Sequence, residues 1–124
     1  MISMSKPEIL VVDDQPSVCK EVAAFLKNDC IVHAFKSGKE ALAYLERHHV
    51  DLILLDYHMP EMTGFETLLS IRQDKAHADT PVIFLTAETN DRMKHEMIQR
   101  GATDYLHKPI DSLKLHECIR KYVA

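Results

Sequence analysis

A chain of 124 residues, 46% hydrophobic and 27% charged with a scattered net charge of −4, has the size and composition of one globular domain over residues 1–124, and without a basic face it lacks the signature of a non-specific grip on nucleic acid. Its three cysteines, Cys19, Cys30 and Cys118, are odd in number and widely spaced, which argues against paired disulfides or a zinc knuckle and for small buried hydrophobes in a reducing compartment. No stretch approaches the roughly 20 apolar residues of a membrane span, and Met1 to Lys6 lacks the apolar core of a signal peptide, so the expected location is the cytoplasm.

Short apolar runs alternate with longer amphipathic ones. Ile9 to Val12 reads as a first strand, and Pro16, well suited to a first helical position, opens a helix with Val18, Val22, Phe25 and Leu26 at helical spacing. Ile31 to Phe35 is a second, less apolar strand suited to a sheet edge. Ser37 and Glu40 form a capping box for a helix that places Ala41, Leu42 and Leu45 on one face. Leu52 to Leu55 is a third strand. Thr63 and Glu66 make a second capping box, ahead of a stripe of Phe65, Leu68, Leu69 and Arg72. Val82 to Leu85 is a fourth strand, followed by a helix from about Asn90 to Arg100 that Gly101 terminates. Tyr105 and Leu106 mark a short fifth strand. A last helix, capped by Asp111, carries Leu115, Cys118, Ile119 and Tyr122 on one side.

Five repeats of strand then helix, with strands apolar on both faces, specify a parallel sheet covered by helices on both sides, a three-layer doubly wound α/β fold. Such sheets place their chemistry at the carboxyl ends of the strands. The polar residues fall there: Asp13 and Asp14 after the first strand, Asp56 after the third, Thr86 after the fourth and Lys108 after the fifth. Three converging carboxylates repel one another, and a hard cation such as magnesium relieves that repulsion. A cation, an ammonium, a hydroxyl and a free carboxylate together suit a transferring phosphoryl group, with the carboxylate as nucleophile.

Taken singly, these features have plainer explanations. Adjacent aspartates are common in turns, a threonine can be a helix cap, and a lysine is usually solvated. Their shared edge is what turns independent turn residues into one charge-balanced set. The eight histidines lack metal-ligand spacing, and His48-His49 is placed where cations suit a helix end. Met59, Met62, Met93 and Met97 read as core or loop packing.

Four segments carry a family resemblance: V-V-D-D at 11–14, L-L-D-Y-H-M-P-E-M-T-G at 54–64, F-L-T-A at 84–87 and G-A-T-D-Y-L-H-K-P at 101–109. In this order they resemble the receiver domains of two-component response regulators, along essentially the whole chain. The resemblance implies a flavodoxin-like (βα)5 fold with strand order 2-1-3-4-5. It implies Asp56 as the phosphoacceptor, and Asp13, Asp14 and Asp56 with the backbone carbonyl of His58 as the magnesium site, which manganese could also fill. Thr86 and Tyr105 are implied as the switch pair, Ala87 and Lys108 as phosphoryl-binding groups, and Lys108-Pro109 as a cis bond. The implied partners are a sensor histidine kinase or phosphotransfer protein and an output domain or partner that reads the face of the fourth helix, fifth strand and fifth helix, with homodimerisation as an option. The chain would then be a signalling domain, with no enzymatic activity beyond its own phosphotransfer and dephosphorylation. Thr63 stands where Asp or Asn is frequent, and His58 and Glu88 occupy variable positions that tune how long the phosphoryl group lasts.

Two other classes compete. A phosphohydrolase with an aspartate nucleophile would carry an acid–base group two residues on, where this chain has His58, and catalytic turnover of phosphate esters would identify it. A flavin or nucleotide binder on the same fold would carry a glycine-rich phosphate loop; there is no G-x-G-x-x-G or P-loop, and the chain has three glycines in all.

Overall fold

The structure, a computed structural model, describes residues 5–88 and 90–123. The expected single domain over 1–124 therefore includes six residues outside the described set. The elements run β1 (Glu8–Val12), α1 (Pro16–Leu26), β2 (Ile31–Phe35), α2 (Gly38–Leu45), β3 (Leu52–Asp56), α3 (Gly64–Gln73), a 3-10 turn at Lys75–His77, β4 (Val82–Thr86), α4 (Asp91–Gln99), β5 (Asp104–His107) and α5 (Ser112–Tyr122). All strand pairs are parallel, in the order β2-β1-β3-β4-β5.

Strand periodicity explains the three layers. Side chains alternate across a strand, so Ile9 and Val11 enter one core while Leu10 and Val12 enter the other. The first core is closed by Val18, Val22 and Leu26 of α1 with Leu115, Cys118 and Ile119 of α5. The second is closed by Ala41 and Leu45 of α2, Leu68 and Ile71 of α3 and Met97 of α4. Every residue of β3 and β4 is buried, the state that continuous apolar runs imply for central parallel strands. Truncating one of these, such as Leu54→Ala, should cost about 2–5 kcal/mol.

Several local expectations hold and some are corrected. Thr63 and Glu66 form the full capping box. At α2 only its first half is present, Ser37 Oγ accepting from the Glu40 N–H at 3.2 Å. The inward stripe of α3 is Gly64, Thr67, Leu68 and Ile71, whereas Leu69 is 60% exposed. At about 100° per residue, positions 64, 67, 68 and 71 share one face, and Leu69 lies roughly 150° from its centre, on the solvent side. Cys30 and Cys118 are buried as expected, but Cys19 is half-buried, its Sγ 3.6 Å from the Asp13 carbonyl. The 3-10 turn is an element that periodicity did not reveal. Asp74 caps it, and its buried His77 is held between the Leu45 carbonyl at 3.2 Å and the Thr80 hydroxyl at 3.4 Å.

Arg72 replaces the expected stripe contact with a different role. Half-buried at the end of α3, its guanidinium donates to the carbonyls of Thr80 (2.7 Å), Gly101 (3.0 Å) and His77 (3.1 Å). It thereby ties α3 to the turns that precede β4 and β5. Gly101 sits at φ +113°, the left-handed conformation expected after a helix C-terminus.

Candidate functional site

The sheet register assembles the site before any side chain is considered. Val12 pairs with Leu55, so the next residues, Asp13 and Asp56, emerge side by side. Asp56 pairs with Leu85 and Thr86 with His107, which brings Thr86 next to the Asp56 end and starts Lys108 at the same edge. This is the point where β1 and β3 diverge in connection, the crevice where doubly wound sheets hold ligands. A Cβ built on Gly64 would lie 2.6 Å from the Asp56 carbonyl oxygen, so the close approach of α3 to this strand end requires glycine.

Asp13, Asp14 and Asp56 each offer a carboxylate oxygen within 4.8 Å of the others; Asp13 and Asp56 are buried and Asp14 is exposed. Among the described residues this is the one cluster of three or more potential ligand side chains, so the histidines form none there. Lys108 Nζ lies 3.2 Å from Asp56 Oδ1 and 2.8 Å from Asp13 Oδ2. The second approach is an ion pair without a directed hydrogen bond, which leaves Asp13 Oδ2 buried with no donor aimed at it. Burial first, and then the charge of Asp13, push the Asp56 carboxyl up to about 7, against the opposing pull of Lys108. Lys108 is held above its ordinary range: burial opposes its charge, but the close carboxylates of Asp13 and Asp56 outweigh that. The donor set therefore fits a hard divalent cation: oxygen ligands only, and three carboxylates against the one ammonium of Lys108.

Above the carboxylates opens a cleft of about 250 Å³ lined by Asp14, Gln15, Asp56, His58, Thr86, Ala87 and Lys108. Thr86 is buried and its hydroxyl accepts the Glu88 N–H at 3.0 Å. The His58 N–H donates to Asp56 Oδ1 at 3.3 Å. The His58 ring meets Glu88 Oε1 at 2.8 Å, bridging the loops after β3 and β4 across the mouth of the cleft. Tyr105 stands apart on β5, half-buried, with Lys94 Nζ 5.2 Å from its ring centre. The peptide bond Lys108-Pro109 is cis. All the residues expected at the site are thus gathered at one edge, except Tyr105, which lies on the neighbouring face.

Gln15 is the cleft residue that the sequence did not single out. A glutamine in a helix-start position carries no motif signal, and its contact is with Lys108, 93 residues away.

Comparison with known proteins gives a consistent result. Residues 9–120 match the family model described as the response regulator receiver domain. A probable cyclic di-GMP phosphodiesterase of Vibrio cholerae is 37% identical over 110 residues, covering 89% of this chain but only 25% of its own length. The solved structure of the chemotaxis protein CheY4 of Vibrio cholerae superposes with a TM-score of 0.91 at 32% identity, covering 96% of this chain and all of that one. The receiver domain of the sensor histidine kinase PA1611 of Pseudomonas aeruginosa, with a magnesium ion coordinated in its active-site cleft, gives a TM-score of 0.86 at 28% identity over 95% of this chain and 98% of that one. No helix among the described residues is long and apolar enough to cross a membrane. With its flavodoxin-like order of strands and this match over nearly its whole length, the chain belongs to the response regulator receiver domain family, a module of two-component signalling.

Proposed function

We propose that this domain accepts a phosphoryl group on Asp56 in a magnesium-dependent reaction and relays the change to an output domain or partner. The observation that carries the proposal is the contact between Asp56 Oδ1 and Lys108 Nζ at 3.2 Å, at the floor of a cleft flanked by two further carboxylates. Asp13, Asp14, Asp56 and the His58 carbonyl would hold the cation, with manganese as a substitute. When bound, it supplies positive charge that offsets the carboxylates and the oxygens of an incoming phosphoryl group.

The chain's own groups then have distinct tasks. An Asp56 oxygen forms the new O–P bond while the bond from the donor to phosphorus breaks and its electron pair leaves with the donor. Lys108 neutralises one phosphoryl oxygen, and the Ala87 N–H donates to another. The Thr86 hydroxyl, which now accepts from Glu88, turns to donate to the phosphoryl group. Tyr105, half-buried beside the same strand, moves inward with it and changes the face formed by α4, β5 and α5. The donor is a histidine kinase or phosphotransfer protein, a reading supported by the receiver of a sensor histidine kinase among the structural neighbours. The proposed setting is a single domain over 1–124 in the cytoplasm, free to dimerise through the switched face, with activity limited to its own phosphorylation and dephosphorylation.

The test is intact mass after incubation with magnesium and a small acyl phosphate. One labile phosphoryl adduct is expected on the native chain and none on Asp56→Asn or in EDTA. Labelling of Asp56→Asn at the native rate would overturn the assignment.

A further inference from the structure

We infer that Gln15 is a positioning residue of this site, holding the Lys108 ammonium over Asp56 through a neutral acceptor. The inference rests on the phosphoacceptor reading above and adds a residue to it.

Gln15 is the N-cap of α1, with extended backbone at φ −91° and ψ 110°, yet its side chain makes no capping bond. Caps are normally Ser, Thr, Asp or Asn, whose short side chains reach back to the first turn. Gln15 instead extends across the cleft, where Oε1 accepts a hydrogen bond from Lys108 Nζ at 3.3 Å. Its backbone N–H donates to Asp13 Oδ1 at 2.9 Å. That bond fixes the Asp13 carboxylate with Oδ2 toward the ammonium, 2.8 Å away. One residue therefore orients both the lysine and one of the lysine's two counter-charges.

The ammonium has three protons to place. Its directed side-chain hydrogen bonds among the described residues go to Asp56 Oδ1 and Gln15 Oε1. The bond to Asp56 cannot persist unchanged once that carboxylate attacks phosphorus, whereas the bond to Gln15 can. A carboxylate at position 15 would add negative charge beside Asp13, Asp14 and Asp56 and repel the incoming phosphoryl group. A neutral carboxamide holds the cation without that repulsion.

The test compares the native chain with Gln15→Leu, which keeps similar bulk without the acceptor, both alone and in a Lys108→Met background. Labelling by a small acyl phosphate in saturating magnesium should show a maximal rate constant lowered roughly fivefold. The half-saturating donor concentration and the magnesium affinity by calorimetry should stay within about twofold. In the Lys108→Met background the Gln15 change should have no further effect, because it acts through that lysine. ¹⁵N relaxation of the Lys108 Nζ should show a more mobile ammonium in Gln15→Leu. Equal fold losses in both backgrounds, or native labelling by Gln15→Leu, would overturn the inference. A native chain that labels while Lys108 keeps its order in Gln15→Leu would sink this inference alone. A native chain that fails to label, with Lys108 loosened by the substitution, would sink the phosphoacceptor reading alone.

Discussion

Neutralising Asp56 should stabilise the metal-free domain at alkaline pH, although the same change removes the proposed function. The folded-state carboxyl titrates at about 7 against an ordinary 3.8, because it is buried next to Asp13. A raised carboxyl means that between those values the folded chain keeps a proton that the unfolded chain has released. Stability from this group therefore falls as pH rises through the window, and the full penalty stands above it. About three pH units correspond to about 4 kcal/mol at most. Solvent enters through the cleft and raises the local dielectric, so we expect about half of that to be recovered by Asp56→Asn at pH 8. For a domain of this size, about 2 kcal/mol is roughly 8 °C in Tm. As pH falls toward the ordinary value of 3.8 the unfolded carboxyl also takes up its proton and the penalty fades, so the two chains should converge to within about 1 kcal/mol at pH 4.5. Urea unfolding followed by circular dichroism in EDTA at the two pH values measures this directly. An Asp56→Asn chain that is no more stable than the native one at pH 8, or whose advantage is the same at both pH values, would refute the electrostatic account. Magnesium should narrow the gap at pH 8 by stabilising the native chain more than the variant.

Three other changes separate the roles of neighbouring groups. Arg72→Met should cost about 3 kcal/mol by urea unfolding, since it strands carbonyls of His77, Thr80 and Gly101, while magnesium affinity by calorimetry stays unchanged. Thr86→Ala should keep labelling at Asp56 but lose the phosphorylation-dependent shift of the Tyr105 ring resonances in NMR. Breaking the exposed His58–Glu88 pair by His58→Ala or Glu88→Ala opens the cleft mouth to water, so decay of the phosphoryl adduct by mass spectrometry should quicken by about fivefold at most, the equivalent of about 1 kcal/mol, with the double variant no faster than the singles.

Much of this fold was legible because its signals are periodic. The runs Leu52–Leu55 and Val82–Leu85 are apolar at every position, which only a strand covered on both faces tolerates, and once the strands were fixed, Asp13, Asp56, Thr86 and Lys108 had to share an edge. Where the signal was local chemistry, as at the Thr63–Glu66 box and Asp111, the caps formed as read. What escaped was set by tertiary contact. Leu69 has the right residue type for a core stripe, but its angle about α3 turns it outward. Arg72 falls on that stripe by spacing, but its role comes from three carbonyls, in the turns before β4 and β5, that the fold brings around it. Gln15 has no signature because its partner is chosen by the meeting of the β1–α1 and β5–α5 loops. The His58–Glu88 bridge is invisible for the same reason, two positions without a local signal that only the register of β3 and β4 makes neighbours.

The most direct test of the central claim is to locate the phosphoryl group itself. The chain is labelled with a small acyl phosphate in magnesium, reduced with borohydride, digested and sequenced by tandem mass spectrometry. An acyl phosphate on Asp56 is reduced to homoserine, so the account predicts homoserine at position 56 and unmodified aspartate at positions 13 and 14. Homoserine at either of those positions, or a phosphoryl group recovered on His58, would contradict it.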